Sequence, residues 1–475
     1  MADLPCITGL SSSTSAIAGC WVDQFGSPRF LMMDNPWALI VNAGEWGGTW
    51  ESDMSTYLSY KQAQGYTGVY VSALGCLDIN GSYENGNTWD NVSPWSNGTD
   101  PSGGLNDAYW ERVDYLISTA HPLGITIFLN ICYTANNGEG TFDAGGALYD
   151  LTEAQYTDYG TALADRYSTA PNLVWLYGND YYAGLYDAQF GYVRSAITGT
   201  GDTHAMAVHN YPESTSRYDI ESADGPPLQS TFSISYSQVN WVYSYNVLYY
   251  GIELAYEEAA AHSIPMIPAM WGDGYFYTDG TDIPTDQYME QMAWWTIASG
   301  GRGMTGTSND VWPWADVSLT DSETQNWYAH TAPAIVAAFT ALPQWWQLIM
   351  PDTNSTLVTS GRGTHASGIT TGDSYAGGTD DYVAASYVPA DGGSPLAVIY
   401  CAMAFSITVD QSVMVPGYAA YWVDPASGAK SPTTTGSTYS SSGLGNNSAG
   451  YPDWVLVLQT PPSSPQGLLL ATGIV

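Results

Sequence analysis

The sequence predicts an α/β protein in which a (β/α)8 TIM barrel is followed by an all-β sandwich domain. Apolar, β-branched segments alternate with amphipathic helical segments through about the first 340 residues, which is the pattern of parallel βα units. Eight strand candidates can be counted there, as many as such a barrel needs. Beyond that point short strands are separated by Gly, Ser and Thr turns, which is typical of a sandwich.

The predicted barrel strands are short apolar runs that end in glycine or polar residues, as buried parallel strands do. Between them the pattern predicts helices, among them 53–65, which Gly65 ends, and one that begins at a capping box of Thr152 and Gln155 and reaches about Tyr167. Later helices are predicted near 186–198, 246–262, 286–299 and 322–340. The eight strands are predicted at 30–41, 67–74, 125–131, 172–180, 203–211, 232–237, 263–274 and 301–312.

Three regions follow from these patterns. Residues 1–29 form an N-terminal segment, residues 30–345 form the barrel, and residues 346–475 form the sandwich. The boundary is expected between residues 342 and 352, where the helical period ends.

Composition excludes several classes of partner. The formal net charge is −37, with nine basic residues, so phosphate backbones would be repelled and nucleic-acid binding is not expected. No segment is long and apolar enough for membrane insertion. Only 12% of residues are charged, whereas 37 are Tyr and 19 are Trp. This polar, weakly charged surface favours an extracellular protein with neutral ligands such as sugars, although the acidic balance is equally explained by solubility.

Cysteine and histidine spacing predicts neither a metal site nor a cofactor. The five cysteines are widely spaced without a CxxC pair, and the six histidines show no ligand spacing. Cys6 and Cys20 are the pair that could close a small loop in an oxidising compartment. Residues 1–19 have no basic region followed by a long apolar core, so no signal peptide is predicted. Release by lysis, as for a bacteriophage virion component, is one route outside the cell.

The best-placed acid follows the fourth predicted strand. In residues 171–180, PNLVWLYGND, an apolar run ends in a glycine, an amide and a carboxylate. Because catalytic groups of α/β barrels lie at the C-terminal ends of the strands, Asp180 is the first catalytic candidate. An aspartate that caps the following helix is the alternative.

Segments along most of the chain, taken in order and spacing, resemble the apiosidase-like family of bacterial glycoside hydrolases. The matching segments include MDNPWAL, ALADRYSTAPNLVWLYGND, AVHNYPESTS and AWWTIASGGRGMTGTSNDVW, with AAYWVDPASG in the sandwich. The resemblance implies a barrel with a C-terminal β-sandwich, sometimes described as a collagen-binding domain. It also implies hydrolysis of a glycosidic bond, often a furanoside, by two carboxylates at the barrel mouth.

The resemblance implies roles for particular residues. The family's acid follows the fourth strand, where this sequence has Asp180, and its second carboxylate is a glutamate after the seventh strand, where this sequence has Met270. A thioether can neither attack as an anion nor activate water. Asp273, three residues further on, is the substitute that we consider for this role.

Other matching positions line the family's sugar site. The expected sugar-contacting residues are Asp34, Trp37, His209, Met270, Trp271, Asn309 and Trp312. Several have a structural alternative. Asp34 could cap a turn, His209 could be a buried structural histidine, and Asn309 and Trp312 could serve loop packing.

Two functions of different kinds remain open. One is a glycoside hydrolase that acts on an extracellular or host cell-surface polysaccharide. The other is a non-catalytic carbohydrate-binding protein, either a bacteriophage tail component that contacts host sugars or a bacterial cell-wall lectin. Other tail proteins, or further copies of the chain in a homo-oligomer, are then the expected partners.

Overall fold

The computed structural model describes most of the chain. The residues described are 4–11, 19–75, 86–134, 141–142, 146–181, 186–210, 214–215, 239–243, 249–253, 256, 269–274, 286–306, 311–312, 314, 331–348, 350–365, 381–432 and 434–460. The predicted sixth strand at 232–237 lies outside them, as do most of the predicted helix 246–262 and the first part of the predicted helix 322–340.

The larger part of the molecule is built on a curled, nine-stranded sheet. Eight of its strands run parallel, and the short β9 pairs antiparallel with β10. The spatial order is β8-β7-β6-β5-β4-β12-β11-β10-β9. The strands are β4 (Leu31–Asp34), β5 (Gly68–Ser72), β6 (Thr126–Asn130), β7 (Leu173–Tyr181), β8 (Met206–Asn210), β9 (Ser214–Thr215), β10 (Asn240–Tyr243), β11 (Ala269–Gly274) and β12 (Gly303–Gly306).

Helices follow the strands and cover the sheet. The short α1 is Leu39–Asn42, and the longer helices are α2 (Trp50–Gln64), α3 (Asp107–Ala120), α4 (Glu153–Tyr167), α5 (Asp187–Gly199), α6 (Asp286–Ala298) and α7 (Ala332–Thr340). The capping box at Thr152 and Gln155 is confirmed. Helix α2 begins earlier than predicted because Thr49 and Ser52 form a second capping box.

The N-terminal segment forms a small antiparallel sheet of β1 (Ile7–Leu10), β2 (Trp21–Asp23) and β3 (Pro28–Arg29). Thr126 Oγ1, at the start of β6, donates a hydrogen bond of 2.8 Å to the carbonyl oxygen of Ile7. The buried Trp21 ring meets Phe128 of β6 edge to face at 5.5 Å. This segment therefore packs on the N-terminal ends of the parallel strands, opposite the edge that bears the candidate site.

The predicted sandwich is present as two antiparallel sheets. One has the order β13-β15-β16-β20-β18 and the other β14-β17-β19. A separate apolar core lies between them and includes Leu357, Ile399, Ile407 and Leu456. The strands are β13 (Met350–Pro351), β14 (Val358–Ser360), β15 (Val383–Tyr387), β16 (Leu396–Cys401), β17 (Ser406–Val409), β18 (Ala419–Val423), β19 (Thr438–Ser440) and β20 (Trp454–Gln459).

No disulfide joins Cys6 and Cys20, so the loop closure considered for them is not formed. The Cys6 thiol donates to the carbonyl oxygen of His121 at 3.2 Å instead. Burial raises the pKa of the Cys20 and Cys132 thiols. In the part of the chain that the structure describes, no helix is long and apolar enough to cross a membrane.

Helix α6 joins the parallel sheet to the sandwich. All its residues from Tyr288 to Ala298 are buried. Trp294 Nε1 donates to the carbonyl oxygen of Pro425 at 3.0 Å, and Asn447 Nδ2 donates to Glu290 Oε1 at 2.8 Å. The two domains therefore share buried polar contacts as well as apolar surface.

Glu290 of α6 and Asp453 of the sandwich form a buried pair of carboxyl groups. Asn447 Nδ2 also donates to Asp453 Oδ1 at 2.9 Å, and Tyr400 OH donates to Asp453 Oδ2 at 2.8 Å. Burial, reinforced by the negative charge of Asp453, raises the pKa of Glu290 above its ordinary range, and Asp424 adds to the repulsion. The raised pKa values of Glu290 and Asp453 favour a proton on this pair at the interface.

We expect Glu290→Gln to weaken the pH dependence of stability. The folded state holds a proton that the unfolded state releases above an ordinary pKa of 4.5, so the free energy of unfolding of the native protein falls as the pH rises through and above that value. One such proton contributes at most about 1.4 kcal/mol per pH unit. Glutamine donates to Asp453 at every pH and should flatten the slope.

Thermal or urea unfolding of both proteins between acidic and alkaline pH measures this slope. Glu153→Gln, at an exposed position in the first turn of α4, is the matched control. Parallel pH profiles for the native protein and Glu290→Gln would contradict the raised pKa of Glu290.

Candidate active site

The candidate site lies along the C-terminal edge of the parallel sheet. Because the strands run in one direction, their last residues meet at this edge. The register aligns Ser72 of β5 with Asn130 of β6, and Gly178 of β7 with His209 of β8. Polar residues from several strands are thereby brought to one side of the molecule.

Asp180 and Asp273 both occupy strand ends at this edge, in β7 and β11. Their backbones are described, whereas their side chains lie outside the described part, as do those of Met270 and Trp271. Asn309 lies wholly outside the described residues. Met270 is level with Trp241 of β10, in the regular part of the ladder.

The sheet is irregular at both candidate acids. Between Gly178 and Tyr181 the register of β7 shifts against β8, since Gly178 pairs with His209 and Tyr181 with the next residue of β8. Gly178 has a φ of 89°, which favours glycine. Between Trp271 and Gly274, three steps of β11 span two steps of β12. Such bulges re-aim side chains and are common beside active sites.

An aromatic cluster joins three of the expected sugar-contacting residues. The Trp37 ring centroid lies 6.2 Å from that of His209 and 5.6 Å from that of Trp312. Tyr70 and Trp241 pack on His209 at 5.5 and 5.2 Å. Trp37 and His209 are buried, and Trp312 is half-buried. Trp312 therefore presents the accessible ring of this cluster, and Trp37 and His209 lie behind it.

Asp34 contacts the covering helix. Its Oδ2 atom lies 2.6 Å from Lys61 Nζ and accepts from Tyr57 OH at 2.7 Å, and both partners belong to α2. Its Oδ1 atom accepts from the Asn35 backbone N–H at 3.0 Å. Burial, together with the Asp34 charge, raises the pKa of Tyr57. The contacts of Asp34 are those of a buried structural carboxylate that also caps a turn.

Two polar strand-end residues that the sequence patterns did not single out lie in the site. Asn130 Nδ2 donates to Ser72 Oγ at 3.3 Å, and both side chains are buried. Asn130 Oδ1 is buried and accepts no hydrogen bond from any residue that the structure describes. A buried acceptor without a donor is costly, so this atom is suited to accept from a ligand hydroxyl. The signal in the sequence is a lone amide that ends the apolar strand TIFLN.

A third missed residue lies on the neighbouring strand. Thr305 of β12 donates from Oγ1 to Asn35 Oδ1 in a short hydrogen bond, and both residues are buried. This contact ties the end of β12 to the turn after β4. Among the described residues, no group of His, Cys, Asp and Glu is arranged to hold a metal ion.

The curled parallel sheet, with its polar and aromatic C-terminal edge, and the appended antiparallel sheets define a glycoside-hydrolase-like fold. The sequence matches the family model "Apiosidase-like, catalytic domain" over residues 20–347. The chain therefore belongs to this family, as the sequence resemblance indicated. Among curated proteins, none matches the sequence significantly.

Solved structures show the same fold. A glycoside hydrolase aligns with a TM-score of 0.63 at 16% identity, covering 96% of this chain and 97% of its own. A family 5 glycoside hydrolase from Bacteroides vulgatus aligns with a TM-score of 0.63 at 16% identity, covering 96% of this chain and 93% of its own. A second structure, described as a putative glycoside hydrolase from Bacteroides vulgatus, aligns with a TM-score of 0.59 at 11% identity, covering 96% of this chain and 82% of its own. The likeness extends over both domains.

We expect Lys61→Met to destabilise the protein by about 3–5 kcal/mol, because it leaves the buried Asp34 carboxylate without its charged partner. Adding Asp34→Asn should recover most of this loss, since no buried charge then remains. Urea unfolding of the single and double variants checks both statements. Lys430→Met, at an exposed lysine of the sandwich, is the control. A double variant no more stable than Lys61→Met would show that the ion pair is not the cause.

Proposed function

We propose that the protein binds an extracellular or cell-surface glycan at the C-terminal edge of the parallel sheet and hydrolyses one of its glycosidic bonds. The observation that carries the proposal is the buried Asn130 Oδ1, to which no described residue donates, at the same edge as the half-buried Trp312 ring. A sugar offers what this pair lacks, since its hydroxyls donate hydrogen bonds and its ring packs on aromatic faces. A furanoside-containing polysaccharide is the substrate class that we infer from the family.

We further infer that the curled sheet closes into an eight-stranded barrel between β8 and β10. The order of the eight parallel strands is that of a TIM barrel opened at this one junction. The rings of His209 in β8 and Trp241 in β10 meet edge to face at 5.2 Å across it. Closure would bring the ends of β7 and β11, which bear the two candidate acids, to one mouth.

In the proposed reaction Asp180 is the general acid. It protonates the oxygen of the leaving group as the glycosidic bond breaks. Asp273 supplies the second carboxylate, because Met270 stands where the family pattern has glutamate. A separation of about 5–5.5 Å between the carboxyl groups would let Asp273 attack the sugar carbon directly, and about 6.5–9.5 Å would admit a water that Asp273 activates.

A carbohydrate-binding protein without hydrolytic activity is the second candidate. The observation that favours it is Met270, whose uncharged thioether cannot act in the second carboxylate's place. In this form the protein would attach to surface glycans, as a component of a bacteriophage tail or as a secreted cell-wall lectin. The acidic, weakly charged composition suits both settings.

Asp180→Asn should abolish hydrolysis and preserve binding. Loss of a general acid costs about 10²–10⁴-fold in rate, whereas an amide of the same shape keeps the site intact. Reducing-sugar release from a panel of furanoside-containing and cell-wall glycans measures the rate, and glycan microarrays measure binding. Asp165→Asn, at an exposed aspartate of α4, is the control. Release that is unchanged in Asp180→Asn would remove Asp180 from the reaction.

Met270→Glu tests the second carboxylate. We expect Asp273→Asn to abolish hydrolysis and Met270→Glu to restore it in that background, because the glutamate returns a carboxylate to the family's position. Met270→Gln has nearly the same shape without the charge and should restore nothing. If the native protein releases no sugar and Met270→Glu does, the binding protein is the correct function.

A further inference from the structure

A cavity lies at the boundary between the two domains, apart from the strand-end site. It has a volume of about 260 Å³, opens to solvent, and is lined by Tyr250 and Glu253 of the helical residues that follow β10 and by the sandwich residues Thr353, Ser355, Arg362, Gly363, His365 and Tyr382. Sites for drug-sized ligands span about 300–1,000 Å³. This cavity is therefore of a size for one monosaccharide unit, not for a longer chain.

A buried hydrogen-bond network forms its floor. Glu253 is buried, and its Oε2 atom lies 2.8 Å from Nε2 of the half-exposed His365. Its Oε1 atom accepts from Tyr382 OH at 3.1 Å, and the Tyr382 oxygen accepts from Arg362 Nη2 at 2.6 Å. These contacts connect the two domains and hold the polar groups in fixed positions.

Aromatic rings form one wall. His365 meets Tyr382 edge to face at 4.8 Å, and Tyr250 lies 5.7 Å from His365. Tyr249 stacks on Tyr382 at 4.1 Å and fixes the ring from behind. Ser355 adds an exposed hydroxyl at the cavity. Ring faces beside fixed donors and acceptors are the combination that recognises a sugar.

The charge of the cavity favours a neutral ligand. Its lining carries one carboxylate, Glu253, one guanidinium, Arg362, and the imidazole of His365, which lies 2.8 Å from Glu253. Arg362 is already engaged by Tyr382 and by Asp352, whose Oδ2 atom lies 3.3 Å from Arg362 Nη1. The whole chain, at −37, repels anions. Among the described lining residues, Arg362 and His365 both already contact carboxylates, so the lining favours neither a phosphate nor a uronic acid.

We propose that this cavity is a second sugar-binding site that takes one neutral pyranose or furanose unit, separate from the strand-end site. The choice of a sugar as ligand class rests on the proposed function. Sugar binding in the cavity does not require that the strand-end site hydrolyses a glycosidic bond. Its role is to hold a further part of the glycan, or a neighbouring chain, while the strand-end site is occupied.

Saturation-transfer NMR and calorimetry on the full chain test the proposal, with methyl glycosides of neutral pentoses and hexoses as probes. We expect at least one probe to bind. Tyr250→Ala and His365→Ala should each lower the affinity for that probe about three- to tenfold, because each removes a ring that packs on the sugar. Tyr250→Phe should keep the affinity. Tyr418→Ala, at a half-buried tyrosine of the sandwich that does not line the cavity, is the matched control.

The proposal is overturned if the cavity variants weaken the binding of no neutral probe although the melting temperatures of these variants match that of the native protein. It is also overturned if only methyl galacturonide binds and its affinity depends on Arg362. Asp180→Asn and Asn130→Ala alter the strand-end site and leave the cavity unchanged. Binding that is lost in Tyr250→Ala but kept in Asp180→Asn and Asn130→Ala therefore belongs to the cavity. That result would stand even if the chain hydrolyses nothing.

Discussion

The two-residue period of the parallel sheet decides which strand-end residues can reach the candidate site. Successive side chains point to opposite faces, so a residue at the correct edge can still face the helices. Asp34 shows this directly, because its carboxylate is bound by Tyr57 and Lys61 of α2. The next residue, Asn35, instead contacts Thr305 of the adjacent strand. Position along the strand and pleat face must both be right.

The outer face of the sheet carries the connection to the sandwich. Helix α6 is buried against both domains, and Asn447 bridges the buried carboxyl groups of Glu290 and Asp453 at the boundary. At a second place on the boundary, Glu253 receives hydrogen bonds from the sandwich residue Tyr382 and lies against His365. Polar groups buried at a boundary are stable only when their partners are fixed, and so they specify one arrangement of the domains.

Sequence patterns were enough for the alternation of strands and helices, for the capping box at Thr152 and for the sandwich, because each depends on local periodicity and turn chemistry. The parallel strand Asn240–Tyr243 was not predicted, because the run taken for the sixth strand was 232–237, which precedes it and lies outside the described residues. The family resemblance indicated Trp37, His209 and Trp312 as sugar contacts, and their rings pack together, whereas their contact with a sugar stays a prediction. Sequence patterns could not assign the face of Asp34, because facing depends on the register with β5 and β12, a property of distant residues.

The register also bears on whether Asp273 can stand in for a glutamate at position 270. In a regular strand, residues three apart point to opposite faces, so Asp273 would be on the wrong side. The register shift between Trp271 and Gly274 interrupts this alternation and sets residues 272 and 273 against Thr305 of β12. Thr305 belongs to the face opposite that of Asp34, since Gly306 is the residue paired with Asp34. The extra residue in β11 is therefore the irregularity that Asp273 needs in order to face the side expected of a glutamate at position 270.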